Sequence, residues 1–172
     1  RASVLYRHFF NFFTFYIGVI FFYLLCRHRF KSIYVGLLGA IFLILTPKLF
    51  SDAVYNSKDT VFLAYFVATF YVMLKFLEKK TFTRLTILAV LTGITFSIRV
   101  GVIFIPLFTV LTYLGDYIFV KKTRSRFLQD IVQLLFYGVL TACVIYITYP
   151  ILWSDPVRNF IQLLKLYAHQ PN

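Results

Sequence analysis

The stretch Leu85–Val120, LTILAVLTGITFSIRVGVIFIPLFTVLTYLGDYIFV, decides how this chain folds. Across its 36 residues the only charges are Arg99, near the middle, and Asp116, near the end. One α-helix of that length would run to about 54 Å, against a hydrocarbon core of about 30 Å. A single span does not fit; two spans joined by a tight turn at Ile98-Arg99-Val100-Gly101 do. Four further apolar runs lie outward of this one. His8–Cys26 stops at Arg27-His28-Arg29, Ile33–Phe50 carries Pro47 near its end, and Thr60–Leu77 includes Lys75 close enough to its end to snorkel. Ile131–Trp153 closes on Tyr149-Pro150-Ile151-Leu152-Trp153, an aromatic interface signature. The expected fold is all-α, a polytopic helical membrane protein of about six transmembrane helices plus a C-terminal interfacial amphipathic helix. Residues 1–153 form its membrane domain and 154–172 a juxtamembrane helix.

Composition agrees. The 172 residues are 60% hydrophobic, 21% aromatic and 14% charged, with mean hydropathy +0.81. Soluble domains lie nearer about 45–50% apolar and 25% charged. The 22 Phe and 13 Tyr exclude a disordered chain, and seven Gly with five Pro exclude collagen-like or low-complexity material. Net charge is +12, from 18 Lys and Arg against six Asp and Glu. These basic residues cluster in short gaps between apolar runs, as membrane loops do, so a nucleic-acid partner is not expected. Cys26 and Cys143 sit in or at the end of apolar runs and form no metal-ligand spacing. The chain opens on Arg1, its single methionine is Met73, and its first apolar run is too long for a signal peptide. A removed N-terminal segment or an internal fragment is the expectation.

Six spans alternate the connections between two sides. One side receives Arg27, Arg29 and Lys31, then Lys75, Lys79, Lys80 and Arg84, then Lys121, Lys122, Arg124 and Arg126. The other receives Arg1, Arg7, Lys48, Lys58, Arg99, Arg158 and Lys165. The positive-inside rule makes the first group cytoplasmic and both chain ends extracytoplasmic. Beyond Trp153, Ser154 or Asp155 can cap a helix that begins at Pro156. Val157, Phe160, Ile161, Leu164 and Tyr167 give that helix one apolar face, which suits the outer leaflet surface.

Chemistry has three places to sit on the outer side. The loop Thr46–Asp59 holds Asp52, Asp59, Lys48 and Lys58 among hydroxyl and amide groups. The turn at Arg99 sets a permanently charged, planar guanidinium beside Gly101, suited to a phosphate headgroup. Trp153-Ser154-Asp155-Pro156 heads the interfacial helix. Plain structural roles compete with each. Arg99 serves equally as an anchor at the headgroups. Asp59, read alone, is first an acid meeting the N-terminal dipole of a helix, and Asp155 an ordinary cap. Asp116 lies one turn before Lys121-Lys122 and is expected to pair there. His8, His28 and His169 are scattered at span ends and suggest no metal site.

The order of these features resembles the GT-C glycosyltransferases of the protein O-mannosyltransferase and lipid A aminoarabinose-transferase type. Leu45-Thr46-Pro47 closes a span and Asn56-Ser57-Lys58-Asp59 opens the next. Thr92-Gly93-Ile94-Thr95-Phe96-Ser97-Ile98-Arg99 follows, then Tyr149-Pro150-Ile151-Leu152-Trp153-Ser154-Asp155-Pro156. The resemblance implies a multi-pass enzyme of the bacterial inner membrane or endoplasmic reticulum type. Such an enzyme moves a sugar from a polyprenyl-phosphate carrier to an extracytoplasmic protein, lipid or glycan acceptor. It places Asp59 at the assisting acid and Arg99 at the carrier phosphate, where many members have Lys, with Lys58 and Asn56 as further substrate-binding candidates. It implies no cofactor and leaves a divalent metal open. The first span here matches the family's second, so the main catalytic base is absent, and an inactive internal fragment of a larger enzyme is expected. Two other readings stand beside it: a transporter or channel fragment, which needs charged or broken helices near the midplane, and a noncatalytic membrane assembly subunit.

Overall fold

The first helix, α1 (Ala2–Phe30), ends where Lys31 turns into the left-handed region at φ 53°, and the next begins two residues later. Ser32 is extended there, and its Oγ accepts from the Val35 N–H, capping α2 (Ile33–Leu45). The computed structural model describes the backbone of residues 2–120 and 124–168, and their side chains except at 2–4, 100–101, 114, 116–120, 124–127, 163–164 and 166–168. Among the described residues all regular structure is helical. The remaining elements are α3 (Pro47–Tyr55), α4 (Ser57–Glu78), α5 (Phe82–Ile98), a 3₁₀ turn (Val100–Ile103), α6 (Phe104–Val120), α7 (Arg124–Thr148), a second 3₁₀ turn (Pro150–Leu152) and α8 (Pro156–Ala168).

Three of these helices are long and apolar enough to cross a membrane: Leu5–Phe30, Ser57–Glu78 and Leu128–Thr148. Ile33–Leu45 and Pro47–Tyr55, bent by 64°, make a fourth if they form one span. The chain is an integral, multi-pass helical membrane protein, but among the described residues length and composition do not reach the expected six spans. The reason is the break at Arg99: α5 and α6, at 17 residues each, extend only about 25 Å. The expected run Ile33–Phe50 also divides. Proline disfavours helical conformation in the residue before it, so Thr46 is extended (φ −71°, ψ 109°) and Pro47 opens a new helix. The segment expected as a loop after residue 46 is therefore largely α3. The side chains of Asp116 and of the Lys121–Arg126 cluster, with the pairing expected there, lie outside what is described, as do those of Leu164 and Tyr167.

The chain divides into two compact units, Arg1–Lys75 and Phe76–Asn172. In the first, α2 returns antiparallel along α1. A Cβ at Gly36 would lie 2.9 Å from the Tyr23 ring, and one at Gly39 2.9 Å from Cys26 Sγ. Phe15, Val19, Leu43 and Ala53 form the core between them. α4 then runs parallel to α1, with Ala64 Cα 3.1 Å from where a Gly18 Cβ would be. Small residues let membrane helices approach this closely.

In the second unit α5 and α7 run in the same direction. Phe82 meets Phe136 (4.5 Å between centroids), Thr141 Oγ1 donates to Ala89 O (3.4 Å), and Ser97 meets Thr148 (2.6 Å). Gly93 makes the crossing possible, since its Cβ would fall 2.7 Å from Val144 and 3.1 Å from the Thr141 carbonyl. α6 runs opposite to α7. Tyr113 donates to Gln133 Oε1 (2.9 Å), while Thr109 faces Tyr137 one helical repeat away. The buried Tyr137 hydroxyl donates to Thr92 Oγ1 (3.2 Å) and also meets Thr109 and Thr141, joining three helices where lipid offers no hydrogen bonds. Lys80 Nζ lies 4.2 Å above the Tyr113 ring, at the end of the unit opposite Arg99. The direction of the chain thus reverses at Arg99 and again before α7. Large apolar side chains such as Leu128, Val132, Leu135 and Val139 cover the outer face of α7 and suit a lipid environment.

Candidate functional site

Two polar corners collect the residues singled out in the sequence. In the first unit, the corner forms where α3 ends and α4 begins. A helix leaves its last carbonyls without partners inside it, and near lipid these need other donors. Asn11 of α1 is buried and donates from Nδ2 to the carbonyls of Asp52 (3.2 Å) and Ala53 (2.8 Å). The Asp52 carbonyl also accepts from Thr60 Oγ1 (2.9 Å) and from the Asn56 N–H (2.8 Å). His8 Nδ1 lies 2.6 Å from the Val54 carbonyl, and because a carbonyl only accepts, that nitrogen carries the proton. The His8 ring meets Tyr55 edge-on at 5.9 Å. Asn11 Oδ1 is buried without a hydrogen-bond partner among the described residues.

Asn56 is the cap of α4. Its Oδ1 accepts from the Asp59 N–H (3.2 Å), and its Nδ2 donates to Asp59 Oδ2 (2.8 Å). The arrangement is a variant of the capping box, with the amide side chain, not the backbone N–H, reaching the acid. Asn56 and Asp59 are thus brought together, both half-buried, while Lys58 between them is exposed. A half-buried carboxylate in such a corner is a hydrogen-bond acceptor for a hydroxyl. Among the described residues no three His, Cys, Asp or Glu side chains gather as metal ligands.

The second corner belongs to the second unit. Arg99 closes α5 in extended conformation (φ −147°, ψ 120°), its N–H donating to Thr95 O, and its side chain is exposed. Because α5 and α7 are parallel, the end of α7 arrives beside it. Thr148 meets Ser97, and Ile145, Tyr149 and Phe160 pack on Phe96. Pro150 forces Tyr149 out of the helix, and the chain turns through Pro150–Leu152 into α8. Trp153 Nε1 donates to Tyr146 O (2.7 Å). Asp155 caps α8 as its position before Pro156 predicts, its Oδ1 accepting from the Arg158 N–H (3.2 Å). Asn159 Nδ2 donates to Ile151 O (2.7 Å) and Ser154 Oγ (3.1 Å), fixing the turn. Two motifs some fifty residues apart, Thr92–Arg99 and Tyr149–Pro156, are therefore one structural feature.

Sequence reasoning missed His8, Asn11 and Thr60. Their partners are the carbonyls at the end of α3, a helix the sequence did not suggest. A polar residue inside a run as apolar as that around Asn11 was the signal that could have found them.

A family model described as dolichyl-phosphate-mannose-protein mannosyltransferase matches residues 8–153. No curated protein and no solved structure matches the chain.

Proposed function

For a chain that belongs to the dolichyl-phosphate-mannose-protein mannosyltransferase family, we propose a part in moving a sugar from a polyprenyl-phosphate carrier to an extracytoplasmic acceptor. Membership makes the chain part of a membrane glycosyltransferase of the mannosyltransferase type. The finer reading assigns Arg99 to the carrier phosphate and Asp59 to the acid that assists transfer. Asn56 holds that acid in place, and Lys58 offers a second cation to the substrate.

The observation that supports it best is the meeting of α5 and α7 at their ends. It sets a permanently charged guanidinium beside hydroxyls, interface aromatics and an amphipathic helix. A lipid phosphate needs that combination: a cation at headgroup depth and apolar surface just below it. Arginine presents several N–H groups in a planar fork, so a phosphate can take two of them at once.

The test supplies membranes containing the full-length protein with radiolabelled mannose on a polyprenyl phosphate or on a nucleotide, together with candidate acceptors. Transfer from the lipid-linked sugar alone is expected. Transfer from the nucleotide sugar without any lipid intermediate overturns the reading.

A further inference from the structure

Side chains of α1 serve three successive carbonyls at the end of α3, those of Asp52 and Ala53 through Asn11 and that of Val54 through His8. Asn11 directs Nδ2 at two carbonyls, so turning the amide over would set oxygen against oxygen, and Oδ1 is fixed as an acceptor. Asn11 is only 4% exposed, and its Oδ1 has no partner among the described residues. One turn earlier His8 is fixed in the same way. Its Nδ1 hydrogen goes to the Val54 carbonyl at 2.6 Å, which makes Nε2, at the distal end of the neutral ring, an acceptor. Nε2 makes no hydrogen bond among the described residues, and the ring is half-buried. Tyr55 stands beside it, 76% exposed, with the two ring centroids 5.9 Å apart and the planes at 77°. Two walls therefore meet at nearly a right angle, one an open aromatic ring and the other ending in an acceptor nitrogen. Asp59 adjoins this corner: Asn11 and Thr60 meet at the Asp52 carbonyl, and Asn56, which holds Asp59, follows Tyr55 in the chain.

We propose that this corner is a sugar subsite, in which a pyranose ring lies against Tyr55 and one of its hydroxyls donates to His8 Nε2; it rests on the function proposed above only for whose sugar is held, the acceptor's or the donor's. A sugar ring presents C–H groups on its faces, which suit the electron-rich face of an aromatic ring, and hydroxyls around its edge, which suit acceptors. The corner answers both. An anion finds no donor in these two side chains, because the N–H groups of His8 and Asn11 are taken up by carbonyls. A purely apolar ligand would leave Nε2 without a donor. Asn11 Oδ1, enclosed one turn below, is within reach only of a water-sized donor, so Asn11 forms the floor and His8 meets the ligand.

The test is binding of the methyl glycosides of mannose, glucose, galactose and N-acetylglucosamine to the full-length protein in phosphatidylcholine nanodiscs, followed by saturation-transfer NMR. At least one is expected to bind saturably. His8→Asn keeps a donor for the Val54 carbonyl but removes Nε2, and is expected to weaken that binding about tenfold without lowering the melting temperature. Tyr55→Leu is expected to weaken it about fivefold, and Tyr55→Phe, which keeps the ring, to retain more of it. Because Tyr55 is exposed, its variants decide the matter even where a His8 variant folds poorly. In transfer assays of His8→Asn, a raised KM for a glycan acceptor makes the sugar the acceptor's, and a raised KM for the lipid-linked sugar makes it the donor's. Saturable binding of none of the glycosides, or binding that Tyr55→Leu leaves unchanged, overturns the subsite. Transfer from the lipid-linked sugar in protein whose glycoside binding ignores both side chains removes the subsite alone. Glycoside binding that depends on both, in protein that transfers nothing from that donor, keeps the subsite and removes the proposed function.

Discussion

The hydroxyls of Ser97 and Thr148 meet at 2.6 Å across two helices that run in the same direction. Each also lies within reach of a carbonyl of its own helix, Ser97 of Gly93 (3.0 Å) and Thr148 of Val144 (2.7 Å), and since two hydroxyl protons serve three contacts, the one that donates across the helices gives up its own carbonyl. The pair pins the end of α7 to the end of α5, where Arg99 emerges. Ser97→Ala and Thr148→Val are each expected to cost about 0.5–1.5 kcal/mol in thermal unfolding of the purified protein. The double variant should cost less than the sum. Strict additivity means that the two hydroxyls do not act on one another.

Gly93 lies at a close approach of α5 and α7. A methyl there meets Val144, whose β-branched side chain is stiff, and the Thr141 backbone carbonyl, which cannot turn away. Gly93→Ala is expected to lower stability by about 1–3 kcal/mol. A methyl at Gly115 would meet nothing within 4 Å among the described residues, so Gly115→Ala should be neutral or slightly stabilising by comparison. Denaturation midpoints of the two variants give the comparison directly.

Arg99 separates anchoring from binding. Losing a charge-assisted contact to phosphate should cost about 1.5–3 kcal/mol, or roughly ten- to more than a hundredfold in carrier affinity. Arg99→Lys keeps the charge and should retain more function than Arg99→Gln. Unchanged affinity and turnover in correctly inserted Arg99→Gln protein leaves the residue as an anchor.

Asp59 carries a structural role already, through Asn56. Asparagine at position 59 still accepts a hydrogen bond, so Asp59→Asn should cost at most about 1 kcal/mol of stability. If the negative charge assists transfer, turnover should fall by about 10²-fold or more. Asp52→Asn is the control, because that residue contributes its backbone carbonyl to the corner. Sugar transfer normalised to membrane abundance decides, and equal small losses at both positions assign Asp59 to capping alone.

Asn11 serves two carbonyls at once. Asn11→Ala removes both donors and is expected to destabilise the first unit by about 1–3 kcal/mol. Asn11→Asp should be worse, since it sets a carboxylate against the negative end of α3. Hydrogen exchange at the amides of residues 50–56 should rise in both variants, more in the second.

The turn at Arg99 was legible because an apolar run cannot outgrow the bilayer, and Asp155 because an acid before Pro156 has few other local uses. The bend at Pro47 was legible only as a proline near the end of a run. Periodicity does not say whether a helix stops there or restarts, and here Thr46 alone separates two helices. His8 and Asn11 were invisible as partners because the groups they satisfy exist only once α3 has formed. The hydroxyl cluster around Tyr137 draws one residue from α5, one from α6 and two from α7. Within one apolar run a tyrosine that faces lipid and one that joins three helices look alike.

The parallel pairing of α1 with α4, and of α5 with α7, also bears on biogenesis. Two neighbouring helices pointing the same way cannot zip together as they emerge, because an oppositely directed segment is made between them. Gly18 waits for Ala64, and Ser97 waits for Thr148. Chains released from the ribosome before either partner has been made lack the seam that closes their unit. They would present the quality-control proteases of the membrane with an unsealed glycine face.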